Sequence, residues 1–236
     1  VVPIGYPEKI KCLIQACAET QIQMMVIDAD AGITPEIGEI LVIMDIFARR
    51  YGTLSLAVIG GINAQNQWQV TEIRKKLPTI LKTTCLNNIK ILDLHSREDY
   101  ETLKSAINEI TLNSPKNNFE KGEKLAKMLV DHAFPVKGVG TVVLGLVQQG
   151  QFIAGKMYDM MPIQKKVILR SIQKFDRDFK TAEAGDRVGL ALKGIKTDKI
   201  DRNAIFCALD SMVTSQRVSI TLFASPFYKP LSDDNV

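Results

Sequence analysis

The hydrophobic pattern of this chain changes its period once, and that change constrains the fold most strongly. Up to residue 112, segments in which apolar residues recur at helical spacing alternate with short apolar runs. This alternation is typical of βαβ units built around a parallel sheet. Beyond the polar stretch 113–118 the helical period disappears, and short β-rich runs separated by glycines follow. The sequence therefore predicts an α/β parallel-sheet domain followed by an all-β barrel.

Apolar faces and runs predict the individual elements. Helical faces begin at Ile10, Ile37, Val70 and Tyr100. Pro35 suits the first turn of the second helix, and Ser96-Arg97-Glu98-Asp99 resembles a capping box before the fourth. Strands are expected over residues 24–28, 54–59 and 89–94 in the first half, and over 128–134, 140–147, 166–172, 188–192 and 217–223 in the second.

Composition allows two modest domains and excludes several other classes of protein. The chain has 236 residues, of which 46% are hydrophobic and 24% charged. No apolar run is long enough to cross a bilayer and no signal peptide is evident, so we expect a cytoplasmic location without a membrane partner. The net charge of +4 permits an RNA partner, although the basic residues are spread along the chain. The cysteines at positions 12, 17, 85 and 207 form no C-x-x-C pair, so buried free thiols are expected.

Three linked motifs occur in the second half. Residues 134–145 read F-P-V-K-G-V-G-T-V-V-L-G, residues 184–195 read A-G-D-R-V-G-L-A-L-K-G-I, and residues 200–202 read I-D-R. In order and spacing they resemble the second-domain barrel of the translational GTPase elongation factors, of the Tu and selenocysteine-specific types. The resemblance implies a Greek-key barrel, in which glycines allow tight turns and close backbone approach.

The first half resembles the GTP-binding domain of the same family, from its third signature onward. The run V-I-D-A-D-A-G-I-T-P-E at 26–36 resembles the family's V-V-D-A-x-x-G-x-x-P-Q, and residues 91–96 occupy the place of its S-A-L signature. The resemblance implies a partial P-loop GTPase-like fold. The expected domains are a degenerate α/β domain over 1–112, a linker over 113–122, the barrel over 123–212 and the start of a truncated third-domain-like segment over 213–236.

The signature positions lack the chemical groups of the family. The phosphate-loop pattern G-x-x-x-x-G-K-[ST] does not occur in the chain. Val2 stands where the family has a magnesium-shell aspartate, and Tyr6 where it has a water-positioning histidine. Gly60-Gly61-Ile62-Asn63 replaces the guanine-reading N-K-x-D without a carboxylate. We therefore predict no catalytic, cofactor-binding or metal-binding residue, and GTP with magnesium only if a phosphate loop lies upstream.

Other polar residues have simpler interpretations. Asp28 and Asp30 follow a predicted strand. The favoured interpretation is a strand-to-loop turn, which aspartate supports by bonding its own backbone, and a metal site is the alternative. His95 and His132 have no partner that would indicate catalysis. The basic stretch of Lys165, Lys166, Arg170 and Lys174 is interpreted as a solvated strand face, with contact to RNA phosphates as the alternative.

Three functional hypotheses remain open. The first is a non-hydrolysing paralogue of the elongation factors that acts as a translation-associated binding module. The alternative is a GTP-binding elongation factor whose phosphate loop lies upstream of this chain. The third is an interaction scaffold with no link to the ribosome. The expected partners are the ribosome or tRNA and not DNA, although Leu146 replaces the arginine that tRNA-holding members commonly carry after the glycine of T-G-R.

Overall fold

The computed structural model describes residues 2–112, 124–202 and 204–221, which fall into two compact units. The first unit is α/β and the second is all-β. The linker predicted over 113–122 lies outside the described residues, so its bounds stay a prediction. Among the described residues, no helix is long and apolar enough to cross a membrane.

The α/β unit alternates helices and strands as the hydrophobic pattern predicts. Its elements are α1 (Ile10–Ala18), β1 (Ile22–Asp28), α2 (Pro35–Tyr51), β2 (Leu54–Gly60), α3 (Gln67–Leu81), β3 (Lys90–Asp93) and α4 (Asp99–Leu112). The strands form a parallel sheet in the order β1-β2-β3, with Ile22 opposite Leu54 and Leu56 opposite Lys90. Because the strands are parallel, their carboxyl ends meet at one edge of the sheet.

One face of this sheet carries the core of the α/β unit. Met25 and Ile27 of β1 are buried against Leu41 of α2 and Leu77 of α3. The intervening residues of β1 point the other way, as the two-residue period of a strand requires. Gly52 ends α2 in the left-handed conformation, where a residue without Cβ is unstrained.

The second unit is a closed barrel. Its strands are β4 (Lys127–Val136), β5 (Gly140–Gln149), β6 (Gln151–Ile153), β7 (Met157–Met161), β8 (Lys165–Lys174), β9 (Arg177–Phe179), β10 (Thr181–Glu183), β11 (Arg187–Lys193) and β12 (Ile205–Cys207). The order β11-β5-β4-β12-β7-β8 closes through the pairing of β11 with β8. β9 extends β8 as a hairpin, and β10 pairs with β6 outside this ring.

Three aromatic rings fill the interior of the barrel. Phe152 and Phe206 stack with ring centroids 5.1 Å apart, and Tyr158 tilts against both rings at 4.9 and 5.2 Å. The Tyr158 hydroxyl accepts a hydrogen bond from the Ile153 backbone N–H at 2.8 Å, so its polar end is satisfied. These rings come from β6, β7 and β12, and they tie the short strands to the core.

The structure confirms the predicted fold class and corrects several details. All four helices and the three parallel strands are present, and four of the five expected β-rich runs are strands. The fifth run, 217–223, has no strand as far as Thr221, and its remainder lies outside the described residues. The sequence pattern missed β7 and the three-residue strands, because such short runs show no distinct period. Cys17 and Cys207 are buried as expected, whereas Cys85 is exposed, which contradicts the prediction for that thiol.

Candidate functional site: the carboxyl edge of the parallel sheet

The loops that follow β1, β2 and β3 form the candidate site, which we term the carboxyl edge. It consists of residues 28–34, 60–66 and 93–98. In open α/β sheets, ligands bind beyond the carboxyl ends of the strands. The edge also carries the positions where the chain resembles the nucleotide-reading signatures of the elongation factors. Its chemistry therefore decides whether this unit can hold a nucleotide.

Asn66 organises the edge from a fully buried position. Its side chain is 1% exposed, and its Nδ2 donates to Asp30 Oδ1 at 2.8 Å and to the Gly61 carbonyl at 2.9 Å. Its Oδ1 accepts from the Asn63 backbone N–H at 2.8 Å. One amide thus joins the loop after β1 to the loop after β2. No pattern in the sequence singled out Asn66, although a polar residue just before a helix was a usable signal.

The two aspartates after β1 shape their own loop. Asp28 Oδ1 accepts from the Asp30 backbone N–H at 2.8 Å, which is the local turn expected for this residue type. The Asp28 carboxylate also lies beside Gly61, where an added Cβ would come within 3.5 Å of Oδ1. Gln69 donates to the Asp30 carbonyl at 3.2 Å from the first turn of α3. Both carboxylates therefore engage groups of the protein.

The third loop is held in the same way. Arg74 of α3 contacts both carboxylate oxygens of Asp93 at the end of β3, at 2.9 to 3.2 Å. Asp99 accepts from the backbone N–H groups of Ser96 at 2.9 Å and His95 at 2.7 Å, and the Ser96 hydroxyl accepts from Glu98. The carboxylate half of the predicted capping box is present, whereas the Ser96 hydroxyl accepts from Glu98 and not from Asp99. The N–H groups of Ser96 and then His95 lower the pKa of the Asp99 carboxyl.

Tyr6 connects the segment before α1 to the first turns of α2. Its hydroxyl lies 3.0 Å from the Glu36 carbonyl and 3.1 Å from Glu39 Oε2, and its single proton can be donated to either oxygen. Burial, followed by the hydrogen bond to Glu39 and the charge of Glu39, raises the pKa of Tyr6 to about 12. Val2 and Ile4 are exposed and apolar at the neighbouring signature positions.

A surface groove of about 580 Å³ lies beside the carboxyl edge. It runs between the loop after β1, at Ala31 to Ile33, and the side of α3 that carries Trp68 and Glu72. Trp68 is the only tryptophan of the chain and is two-thirds exposed. Sequence reasoning did not name it, since its position on a helical face indicated neither core nor site.

The carboxyl edge differs from the family's nucleotide signatures in its residues and in the contacts that they make. Asn63, in the place of the guanine-reading signature, accepts from the backbone N–H groups of Gln65 and Asn66 within its own loop. Asp28 Oδ1 is bonded to the Asp30 backbone N–H and Asp30 Oδ1 to the Asn66 amide. At the family's magnesium-shell position, before α1, Val2 has no side-chain oxygen. These hydrogen bonds hold the loops of the edge together.

The basic stretch of β8 is distributed over separate contacts. Lys166 lies 3.5 Å from Asp210, Arg170 donates to the Val139 carbonyl, and Lys174 bonds to Asp186 at 2.8 Å. Lys165 is exposed. Three of the four cations thus have protein partners, which favours the interpretation as an ordinary strand face.

Comparison with known proteins gives relatives over nearly the whole chain. No family model matches it. The chain is 30% identical over 227 residues to an uncharacterised protein of Methanocaldococcus jannaschii, covering 96% of this chain and 65% of that protein. It is 30% identical over 214 residues to the selenocysteine-specific elongation factor of the same organism, covering 88% of this chain and 44% of the factor.

A solved structure supports the same relationship. Translation elongation factor SelB from Methanococcus maripaludis, in complex with the GTP analogue GppNHp, superposes with a TM-score of 0.79 at 29% identity. The match covers 88% of this chain and 45% of SelB. The chain therefore spans about half the length of this structure and of the M. jannaschii factor.

Proposed function

Because this chain belongs to the translational elongation factor family, we propose that it is a non-hydrolysing member that acts as a binding module in translation. The family membership rests on the selenocysteine-specific relatives and on the shared fold. The absence of hydrolysis is our inference from the signature positions before α1 and from the contacts of the carboxyl edge. GTP hydrolysis depends on placed charges and donors around the phosphates and the metal, and the resembling positions here hold Val2 and Tyr6 instead.

The single observation that carries the proposal is the closed network around Asn66. This buried amide uses its donors and its acceptor on Asp30, Gly61 and Asn63. A base read through these same groups would compete with these bonds, and a buried polar group left without a partner costs about 1–3 kcal/mol. Guanine recognition through these groups would therefore destabilise the loops after β1 and β2, which are the loops expected to bind the base.

The alternative function is a GTP-binding elongation factor that receives its phosphate loop from an upstream segment. The SelB structure with bound GppNHp favours this alternative, since it matches this chain closely in fold. The loop from Asp28 to Pro35 also keeps the family's D-A-x-x-G-x-x-P spacing. Under this alternative, residues other than those at the signature positions 2, 6 and 60–63 would have to bind guanine and magnesium.

The proposed partners are the ribosome or tRNA, in the cytoplasm. The relatives are named as translation elongation factors, and the barrel keeps the glycine pattern of their second domain. Leu146 follows Gly145 where tRNA-holding members commonly have an arginine, which favours the ribosome over specific tRNA capture. DNA and membranes are not proposed as partners.

Titration calorimetry with GTP and GDP in the presence of magnesium tests the proposal, on the longest natural form of the protein. We expect no binding heat, while SelB of M. maripaludis should bind as the positive control. Co-sedimentation with purified ribosomes should retain the protein. Specific guanine-nucleotide binding would establish the alternative, and folded protein that binds neither nucleotide nor ribosomes would leave the scaffold hypothesis.

A further inference from the structure

The core face of the parallel sheet becomes polar at the amino-terminal ends of its strands. Gln23 of β1 lies directly opposite Ser55 of β2, and both side chains continue the row that Met25 and Ala57 form in the core. Thr53 immediately precedes β2. Gln23 is 5% exposed, so its amide is a buried polar group. We term Gln23, Thr53 and Ser55 the amino-edge cluster.

Each residue of the amino-edge cluster has one buried oxygen with no hydrogen-bond partner in the described part of the chain. These atoms are Gln23 Oε1, Thr53 Oγ1 and Ser55 Oγ. The other end of the Gln23 amide is bonded, since Nε2 donates to the Cys17 carbonyl of α1 at 3.4 Å. Nearly all buried polar atoms of native proteins have a protein or water partner. Three exceptions at adjacent positions therefore indicate a shared partner.

The surroundings of the cluster offer acceptors rather than donors. α1 and α2 both end beside it, at Ala18 and Tyr51, and the last carbonyls of a helix have no partner within the helix. The Thr20 hydroxyl already lies within hydrogen-bond distance of the Ala16 and Cys17 carbonyls, at 3.0 and 3.4 Å. The carboxyl-terminal ends of helices repel anions and favour groups that carry positive charge or donate hydrogen bonds. The shared partner therefore has to donate.

We propose that a buried water molecule bridges the three residues of the amino-edge cluster. The Ser55 and Thr53 hydroxyls donate to the water oxygen, and the water donates one proton to Gln23 Oε1. Its second proton serves one of the helix-end carbonyls. Buried waters typically make two to four hydrogen bonds at polar sites, and this arrangement supplies that number. The site lies at the opposite edge of the sheet from the nucleotide signatures and is independent of the proposed function.

This water joins three elements of the α/β unit. It connects β1 to the start of β2, and Gln23 extends the connection to α1 through the Cys17 carbonyl. At the carboxyl edge, the Asn66 side chain makes the corresponding connection with protein atoms alone. The amino edge depends on solvent instead, so the loss of one hydroxyl of the cluster should weaken it.

Water–protein nuclear Overhauser spectroscopy on the isotope-labelled full chain tests for the bound water directly. Cross-peaks at the water frequency are expected to the Gln23 side-chain amide protons and to the Ser55 backbone N–H. Hydroxyl protons that exchange with solvent produce similar signals, so the Leu86 backbone N–H, which donates to the Thr84 hydroxyl at 3.0 Å, gives the background level. Signals no stronger than that background would overturn the inference, whatever the variants below do.

Thr53→Val gives a second test through the sign of its effect. Valine has almost the shape of threonine without the hydroxyl. Removal of an unbonded buried hydroxyl would raise the melting temperature, whereas removal of a water-bound one should lower it by about 2–4 °C. Thr84→Val is the matched control, because its buried hydroxyl donates to the Leu81 carbonyl at 2.7 Å and its loss should also lower the melting temperature. A rise in Thr53→Val would contradict the water site.

The double variant of Thr53→Val and Ser55→Ala tests whether the two hydroxyls share one partner. Their oxygens are not bonded to each other, so any coupling between them has to pass through a bridging group. The double variant should lose less stability than the sum of the single variants, because the first substitution already weakens the bound water. Additive losses would show two separate partners and would refute the single site.

Salt identity distinguishes water from a metal ion in the same position. Glu19 places a buried carboxylate at the end of α1, where it accepts from Gln15 at 3.1 Å, so a monovalent cation is the competing occupant. For the parent protein, and separately for Ser55→Ala, melting temperatures in potassium, sodium and choline chloride at equal ionic strength should agree. Stabilisation by potassium or sodium alone, lost in Ser55→Ala, would show that a cation occupies the site and that the assignment to water is wrong.

Discussion

The barrel and the carboxyl edge keep the family's pattern to different extents. In the barrel, an added Cβ at Gly145 would lie 2.0 Å from the Leu129 carbonyl oxygen, and one at Gly150 would lie 2.3 Å from the Lys124 carbonyl oxygen. At the carboxyl edge, an added Cβ at Gly60 would meet nothing within 4 Å, and one at Gly61 would meet Asp28 at an ordinary contact distance. Close approach of neighbouring backbone accounts for the first pair, whereas at the carboxyl edge Gly61 is favoured by its own φ of +70° and Gly60 by neither cause.

This difference separates two kinds of sequence constraint. Gly145 and Gly150 are required because neighbouring backbone passes too closely for any side chain, whatever the barrel binds. The residues of a nucleotide site are required only while the nucleotide is used. Asn66 and Asn63 bond within the edge. Under the proposed function, the sheet keeps its fold while the contacts of its carboxyl edge serve structure alone, and the following predictions test that view.

The largest effect is expected for Gly145→Val. The valine Cβ would overlap the Leu129 carbonyl, which belongs to the paired strand β4, so the pairing of β4 with β5 has to break or shift. We expect a loss of about 3 kcal/mol or more of barrel stability, or failure to fold, measured by thermal unfolding. An unchanged melting temperature would show that this strand is wrongly placed.

Gly38→Ala is the matched glycine control for this prediction. Gly38 lies inside α2, and an added Cβ meets nothing within 4 Å. Alanine should stabilise the helix by about 0.5–1 kcal/mol, because it loses less backbone entropy on folding. Opposite shifts of the melting temperature in the two variants would confirm the reason for glycine at position 145. The barrel requires it because the Leu129 backbone lies too close for a side chain, and not because glycine is stabilising in general.

The sequence predicted those features that rest on repeated local patterns. The helical faces from Ile10, Ile37 and Val70 and the capping box at Ser96 all act within one segment, so the sequence shows them directly. Asn66 could not be found this way, because its partners Asp30 and Gly61 come from other segments that meet only in the folded sheet. β7 and β12 were missed for a related reason, since short strands are defined by the neighbours with which they pair.

Asn66→Ala should have the second largest effect. It removes the buried amide that joins the two loops and leaves the Asn63 N–H and the Gly61 carbonyl without that partner. We expect a loss of about 2–3 kcal/mol in the α/β unit, with faster hydrogen exchange in residues 60–66. Gln65→Ala is the control, since Gln65 is exposed and only its backbone N–H is bonded. Equal stability of the two variants would show that the Asn66 hydrogen bonds do not stabilise the loops of the carboxyl edge.

Tyr6→Phe should have a smaller effect. It removes a partly exposed hydrogen bond to Glu36 or Glu39, so we expect a loss of about 0.5 kcal/mol in the free energy of unfolding. The folded-state pKa of about 12 lies above the ordinary value of 10.0, so the neutral phenol is favoured by folding. Its contribution is therefore complete below pH 10 and is lost as the pH rises toward 12. Ultraviolet titration of tyrosinate should lose a group that titrates well above pH 10 in the variant, and an unchanged titration would contradict this assignment.

No gain of activity is expected from Tyr6→His, although it restores the family's residue at the signature. A histidine at this position could orient water, but Val2 still offers no oxygen to a magnesium shell, and the Asn63 side chain remains bonded within its loop. Phosphate release from GTP, measured with the full natural chain and magnesium, should stay at the level of the unmodified protein. Measurable hydrolysis in this single variant would show that only the residue at position 6 prevents catalysis, and the proposed contrast between barrel and nucleotide site would no longer hold.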